Sequence, residues 1–109
     1  MTRYLISFDD GDMTFPEEDL PDVSRDSHEV VARAKDAGVW VTGGGVLGHT
    51  VAVVATDGSV TDATTRGHLG GFSVLEVASR EEALRWAADL ARACRCPQQV
   101  RELMDDPDV

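Results

Sequence analysis

Positive charge is scarce in this chain. Lys and Arg together number 10 against 20 Asp and Glu, which gives a formal net charge of -10 and an isoelectric point near 4.5. A nucleic-acid backbone is bound by Lys and Arg that displace counterions, and an anionic membrane surface attracts basic proteins for the same reason. No nucleic-acid partner and no membrane partner is therefore expected.

Long apolar runs and cysteines are also few. No apolar stretch approaches the length of about 20 residues that a membrane-spanning helix needs, and MTRYLISFDDGD becomes polar too early for a signal peptide. Cys94 and Cys96 are the only cysteines, and without a second pair or nearby histidines they supply at most half of a zinc site. We expect reduced thiols and a cytoplasmic protein.

What the chain does contain is an alternation of strand and helix patterns over a length typical of one domain, residues 1–109. Strands are predicted at 3–8, 39–42, 51–56, 72–77 and 98–103, and the acidic tail 104–109 is expected to fray. Asp57 and Gly58 predict a two-residue hairpin turn from VAVVAT to SVT, with positive φ at both positions. Residues 9–24 are acidic, contain two prolines and are predicted to form a loop with a helical turn at residues 16–18.

Two helices are predicted. Asp26 and Glu29 resemble a capping box for a first helix over residues 27–37, which Gly38 ends. Ser79 and Glu82 form a second capping box, for a helix that reaches about Cys94 and carries an apolar stripe. Two helices on one face of a mainly antiparallel sheet define an α+β, ferredoxin-like domain.

The strands YLISF and VAVVA are apolar on both faces, although two short helices can cover only one side of a sheet. The same sheet of a second copy, packed across a two-fold axis, is the simplest cover for the other side. We therefore predict a homodimer.

The glycine-rich segment 43–48 (GGGVLG) formally fits the dinucleotide fingerprint G-x-G-x-x-G. That fingerprint works only where a helix N-terminus follows, so that its amide groups meet a pyrophosphate, and here a predicted strand follows. The glycines are assigned to a bulged hairpin connection, and no nucleotide cofactor is expected.

Four motifs follow one another at residues 60–62 (VTD), 69–72 (LGGF), 76–77 (EV) and 79–87 (SREEALRWA). In this order they resemble the YCII-related family, and within it the DGPF-like branch. The resemblance implies a ferredoxin-like domain that pairs into a dimeric α+β barrel, in agreement with the strand argument. It also implies a ligand or substrate that is a small organic ring compound, handled without any cofactor by a lyase or isomerase.

The resemblance implies the site residues as well. Residues 25–28 (RDSH) resemble the R-x-x-H element of the family, which implies the acid/base role for His28. Asp62 corresponds to the aspartate of the DGPF tetrad, which implies the role of the orienting carboxylate. His68 is expected to line the same cleft. The pKa of an unperturbed histidine lies near 6.5, which suits acid/base chemistry at neutral pH.

The sequence is also compatible with two alternatives. Residues 62–65 (DATT) keep only the aspartate of the DGPF tetrad, so a non-catalytic accessory or regulatory dimer competes with the enzyme. For His28 and Asp62, a solvated helix end and a turn-forming aspartate are the structural alternatives. No metal site is expected, because no two histidines share a helix or strand at ligand spacing.

Overall fold

The computed structural model describes residues 1–47, 51–63 and 69–109. This part of the chain forms β1 (Thr2–Asp9), α1 (Leu20–Asp36), β2 (Trp40–Gly45), β3 (Val51–Val54), β4 (Val60–Ala63), β5 (Leu69–Val77), α2 (Arg80–Cys94) and β6 (Gln99–Glu102). Short 3-10 turns lie at Asp10–Asp12 and Glu17–Asp19. The predicted α+β class and ferredoxin-like arrangement are confirmed. Among the described residues, neither helix combines the length and apolar character needed to cross a membrane.

The main sheet has four strands in the order β2-β5-β1-β6, and all neighbours are antiparallel. Burial alternates along β5, because every second side chain of a strand points to the helices. Both helices pack on this one face. The core that they share with the sheet consists of Tyr4, Ile6, Val30, Ala34, Val39, Leu75, Val77, Ala83, Ala87, Leu90 and Ala93.

The other face of the sheet carries apolar side chains without helix cover. Leu5 and Val74 are register partners at its centre, and Phe72 lies beside them on β5; all three are half-buried. An ion pair of 3.1 Å between Arg3 Nε and Glu76 Oε2 borders this patch. We call Leu5, Phe72 and Val74 the outer patch.

Strands β3 and β4 form a separate two-stranded hairpin, as the sequence predicts. The predicted turn type is wrong, because only Gly58 has a positive φ, of 88°. Gly58 N donates to Ala55 O, Ala55 N donates to Ser59 O, and Asp57 Oδ1 accepts from Ser59 N. A three-residue loop that ends in a left-handed glycine explains this pattern.

Helix α1 starts at Leu20, seven residues before the predicted start at 27. Pro21 occupies the first helical turn, where a missing N–H costs nothing, so it begins the helix that it was expected to prevent. The predicted capping box at Asp26 is also wrong, since Asp26 lies inside α1. Its carboxylate instead accepts a 2.9 Å hydrogen bond from Arg95 after α2, which is the main cause that lowers the pKa of Asp26.

Helix α2 agrees closely with its prediction. Ser79 Oγ accepts from Glu82 N at 3.2 Å, and the Glu82 carboxylate accepts from Ala78 N at 3.2 Å, so the cap is closed from both sides. The expected hairpin connection through the glycines is wrong, because residues 43–45 belong to β2 and pair with β5. A bulge does occur in β2, between Trp40 and Thr42.

Candidate functional site

A cleft of about 300 Å³ lies between α1, α2 and the glycine-rich end of the sheet. Side chains from α1 form one wall, strand ends of β1, β2 and β5 form another, and Leu90, Cys94 and Gln98 close the third side. Sites for small molecules start at about this volume. The cleft can therefore hold a ligand of roughly one substituted ring.

His28 lies on the α1 wall of this cleft. Its Nδ1 atom is 2.6 Å from the carbonyl oxygen of Ser24 and 3.3 Å from Ser24 Oγ. A carbonyl oxygen can only accept a hydrogen bond, so Nδ1 carries the proton of the neutral ring. Nε2 is then left with a free lone pair, which is the state that a general base needs.

The rings of Phe8 and Trp40 line the sheet side of the cleft, and glycines make room for both. A Cβ at Gly70 or Gly71 would lie 2.6 or 2.8 Å from the ring of Phe8. A Cβ at Gly43 would lie 2.7 Å from Trp40 Cη2 and 2.5 Å from the carbonyl oxygen of Phe72. The LGGF motif thus seats Phe8 against the backbone of β5, which gives the cleft an aromatic wall.

The remaining α1 residues of the wall are Ser27, Val31 and Lys35. Lys35 follows His28 by seven residues, which is two helical turns, so both side chains lie on the same side of α1. The sequence reasoning missed Lys35. The available signal was this spacing, together with the fact that Lys35 is the only lysine of the chain.

Both cysteines are buried free thiols, and Cys94 lines the cleft. Burial raises the pKa of the Cys94 thiol, and burial followed by the nearby Cys94 and Asp12 raises the pKa of Cys96 to about 11. The thiolate is the reactive form of cysteine, and both thiols are held in the neutral form at neutral pH. Neither thiol is therefore suited to act as a nucleophile.

The native thiols are expected to react slowly with an aromatic disulfide reagent at pH 8. A pKa two units above the ordinary value lowers the thiolate fraction about a hundredfold, so Cys96 should react roughly a hundredfold more slowly in the native protein than in urea-unfolded protein. Stopped-flow absorbance measures both rates. Equal rates in the two states would contradict the burial of the thiols.

The other predicted site residues lie elsewhere. Asp62 is an exposed residue of β4, paired with Ala52 across the hairpin, and the described lining of the cleft does not include it. Its orienting role stays a prediction, and within one chain it is the Ser24 carbonyl that holds His28. His68 lies outside the described residues. Within the described ranges, no three His, Cys, Asp or Glu side chains are grouped so that they could hold a metal ion.

The fold defines a small α+β domain of the ferredoxin-like class, and it contains a cleft of about 300 Å³. The family model of the YCII-related domain matches residues 3–95, and the chain belongs to this family. A search of curated proteins finds no match. The family as a whole has no single established activity that the match could transfer to this chain.

Proposed function

We propose that this protein binds a small ring compound in the cleft and acts on it as a cofactor-independent lyase or isomerase, with His28 as the acid/base group. The observation that carries the proposal is the 2.6 Å hydrogen bond from His28 Nδ1 to Ser24 O, at the wall of a cleft of about 300 Å³. This bond selects the tautomer in which Nε2 is unprotonated. We place the chain in the DGPF-like branch and in the cytoplasm as part of the same proposal.

The proposed chemistry needs no group beyond the chain. His28 Nε2 takes a proton from a carbon of the substrate ring that lies next to a carbonyl group. The imidazole of His28 becomes an imidazolium, and the substrate becomes an enolate. In an isomerase the substrate has a conjugated C=C bond, and the imidazolium returns the proton to the far carbon of the dienolate. In a lyase the enolate expels an anionic leaving group from the neighbouring carbon, which restores the carbonyl and forms a C=C bond, and the imidazolium gives its proton to the leaving group. General acid/base catalysis of this kind contributes about 10²–10⁴-fold to a rate.

Proton exchange in D₂O tests this step before the natural substrate is known. A panel of five- and six-membered cyclic ketones and lactones is incubated with the protein, and loss of the α-proton signal is followed by ¹H NMR. We expect catalysed exchange for at least one compound and a loss of about 10²-fold or more in His28→Gln. Glu29→Gln is the matched control, because Glu29 is the next residue of α1 and is not part of the described cleft lining.

The outcomes separate the candidate functions. Exchange that survives in His28→Gln removes His28 from the mechanism. Ligand binding in the cleft without any exchange favours the non-catalytic dimer. The proposed help from Asp62 is tested in the same assay by Asp62→Asn, and an unchanged rate removes Asp62 while leaving His28 in place.

We also propose that the protein is a homodimer that covers the outer patch of each copy with the other. The hairpin supports this proposal, because two-stranded hairpins are marginal in water, and Val54 and Val60 on this one are 65% and 64% exposed. The radius of gyration is 15.5 Å, whereas a compact domain of this length has about 13 Å. In such a dimer the hairpin of one copy can reach the other copy. Asp62 would then approach the cleft of the partner copy, since it is not part of the described lining of the cleft in its own chain.

A further inference from the structure

The charge of the cleft is opposite to that of the protein. The chain has a formal net charge of -10, yet none of the described residues that line the cleft is Asp or Glu. Apart from His28, Lys35 is the one basic side chain among the described residues of the lining. Lys35 is exposed at the edge of the cleft, and a basic side chain beside a described lining without any carboxylate attracts an anion.

The rest of the lining limits what that anion can be. Phe8 and Trp40 supply aromatic surface, and Val31 and Leu90 supply aliphatic surface. A bare inorganic ion gains nothing from such walls, whereas a ligand with an apolar ring gains by removing them from water. The ligand therefore needs both an apolar body and an acid group.

Helix α1 fixes the distance between Lys35, which would bind the acid group, and His28, which would transfer the proton. Seven residues of α-helix rise about 10 Å, and the flexible lysine side chain of about 6 Å can shorten that gap from its end. An acid group held by Lys35 then lies about one ring width from a carbon beside His28 Nε2. This spacing agrees with a cleft of about 300 Å³.

We infer that the cleft selects a small ring carboxylate, whose carboxylate group binds Lys35 while the ring packs against the aromatic wall and faces His28. This inference rests on the proposed function, since it names the substrate class of the same site. Lys35 is a specificity residue in this scheme, and proton transfer belongs to His28. Its place in the last turn of α1 also complements the helix dipole, but that role is available on any side of the helix.

Matched pairs of ligands test the inference. Benzoate and benzamide, and likewise cyclohexanecarboxylate and its primary amide, have nearly the same shape and differ in charge. We titrate each into ¹⁵N-labelled protein and follow the amide signals of the α1 wall. The carboxylate is expected to bind at least about fivefold more tightly than its amide, as one charge-assisted hydrogen bond permits.

Variants assign the preference to Lys35. In Lys35→Met, which keeps the length of the side chain, the two members of a pair are expected to bind equally, while Lys35→Arg keeps the preference. Arg85→Met is the matched control, because it removes the same charge from an exposed position of α2 outside the described cleft lining. Added salt should weaken binding of the carboxylate and leave the amide unaffected.

The results separate this inference from the proposed function. If carboxylate and amide bind the cleft equally, or if the preference survives in Lys35→Met, the selection of anions is wrong and the proposed ligand site stands. If no member of either pair shifts the α1 signals, the ligand site itself fails and this inference fails with it.

Discussion

The Gly43→Ala variant is expected to lose about 3 kcal/mol of the free energy of unfolding. A Cβ at this position would lie 2.5 Å from the carbonyl oxygen of Phe72, 2.7 Å from Trp40 Cη2 and 2.9 Å from Ser73 Cα. Two of these three atoms belong to the backbone of β5, so they cannot move aside without disturbing the β2–β5 pairing. Overpacking against atoms that cannot yield lies at the upper end of the usual range of about 1–3 kcal/mol.

Gly44→Ala provides the control one residue further along β2. No heavy atom lies within 4 Å of a Cβ at Gly44, and its φ is not in the left-handed region, so alanine fits there. We expect a change of less than about 0.5 kcal/mol, since alanine also restricts the unfolded chain. Urea unfolding monitored by tryptophan fluorescence gives both values, and coincident midpoints for the two variants would refute the steric argument.

The same contact joins the stability of the sheet to the shape of the cleft. Gly43 lets the ring of Trp40 lie close to the backbone of Phe72 and Ser73, and both Gly43 and Trp40 line the cleft. An alanine that displaces Trp40 therefore alters the aromatic wall as well as the strand pairing. Gly43, the first glycine of the segment that resembles a nucleotide fingerprint, instead makes room for this wall.

Helix α2 could be predicted from the sequence because its signals are local. Ser79, Glu82 and the apolar stripe all act within the helix itself, and the structure begins α2 at Arg80 and ends it at Cys94. Helix α1 shows the opposite case. Pro21 fits either a loop or a first helical turn, and the packing of Val23 into the protein, at 2% exposure, decides in favour of the helix.

The extent of β2 could not be predicted, because three consecutive glycines have no strand preference of their own. Residues 43–45 become a strand through hydrogen bonds to β5, about 30 residues away along the chain. The prediction of the hairpin turn type was wrong for a related reason. Asp57 and Gly58 are compatible with two loop lengths, and the pairing of Val54 with Val60 selects the longer one.

The candidate site was predicted in part. The resemblance to the family indicated His28, and the structure places it on a cleft with its tautomer fixed by Ser24. Lys35 is not part of a recognisable sequence motif, because a lysine near the C-terminal end of a helix is common. Its proposed role becomes visible only in the three-dimensional structure, where none of the described residues that line the cleft with it is a carboxylate.

The Val74→Asp variant is expected to convert the proposed homodimer into a monomer. Val74 lies on the central strand β5, between Leu5 of β1 and Thr42 of β2, so it is central to the outer face of the sheet. A two-fold axis brings both copies of this side chain into one interface, and a single substitution buries two charges of the same sign. An unpaired buried charge costs several kcal/mol, so we expect the dissociation constant to rise more than about a hundredfold.

Sedimentation velocity at micromolar concentration measures this effect, with circular dichroism to show that the variant remains folded. Leu84→Asp is the control, because Leu84 is 37% exposed on α2, on the other side of the sheet, and its substitution should leave the dimer intact. A wild-type protein that sediments as a monomer, or a Val74→Asp protein that sediments as a dimer, would show that the outer patch is not the interface. The proposed cover for the exposed valines of the hairpin would then be wrong, and so would the proposal that Asp62 approaches the cleft of the partner copy. The cleft with His28 and Lys35 would be unaffected, because it is built from one chain.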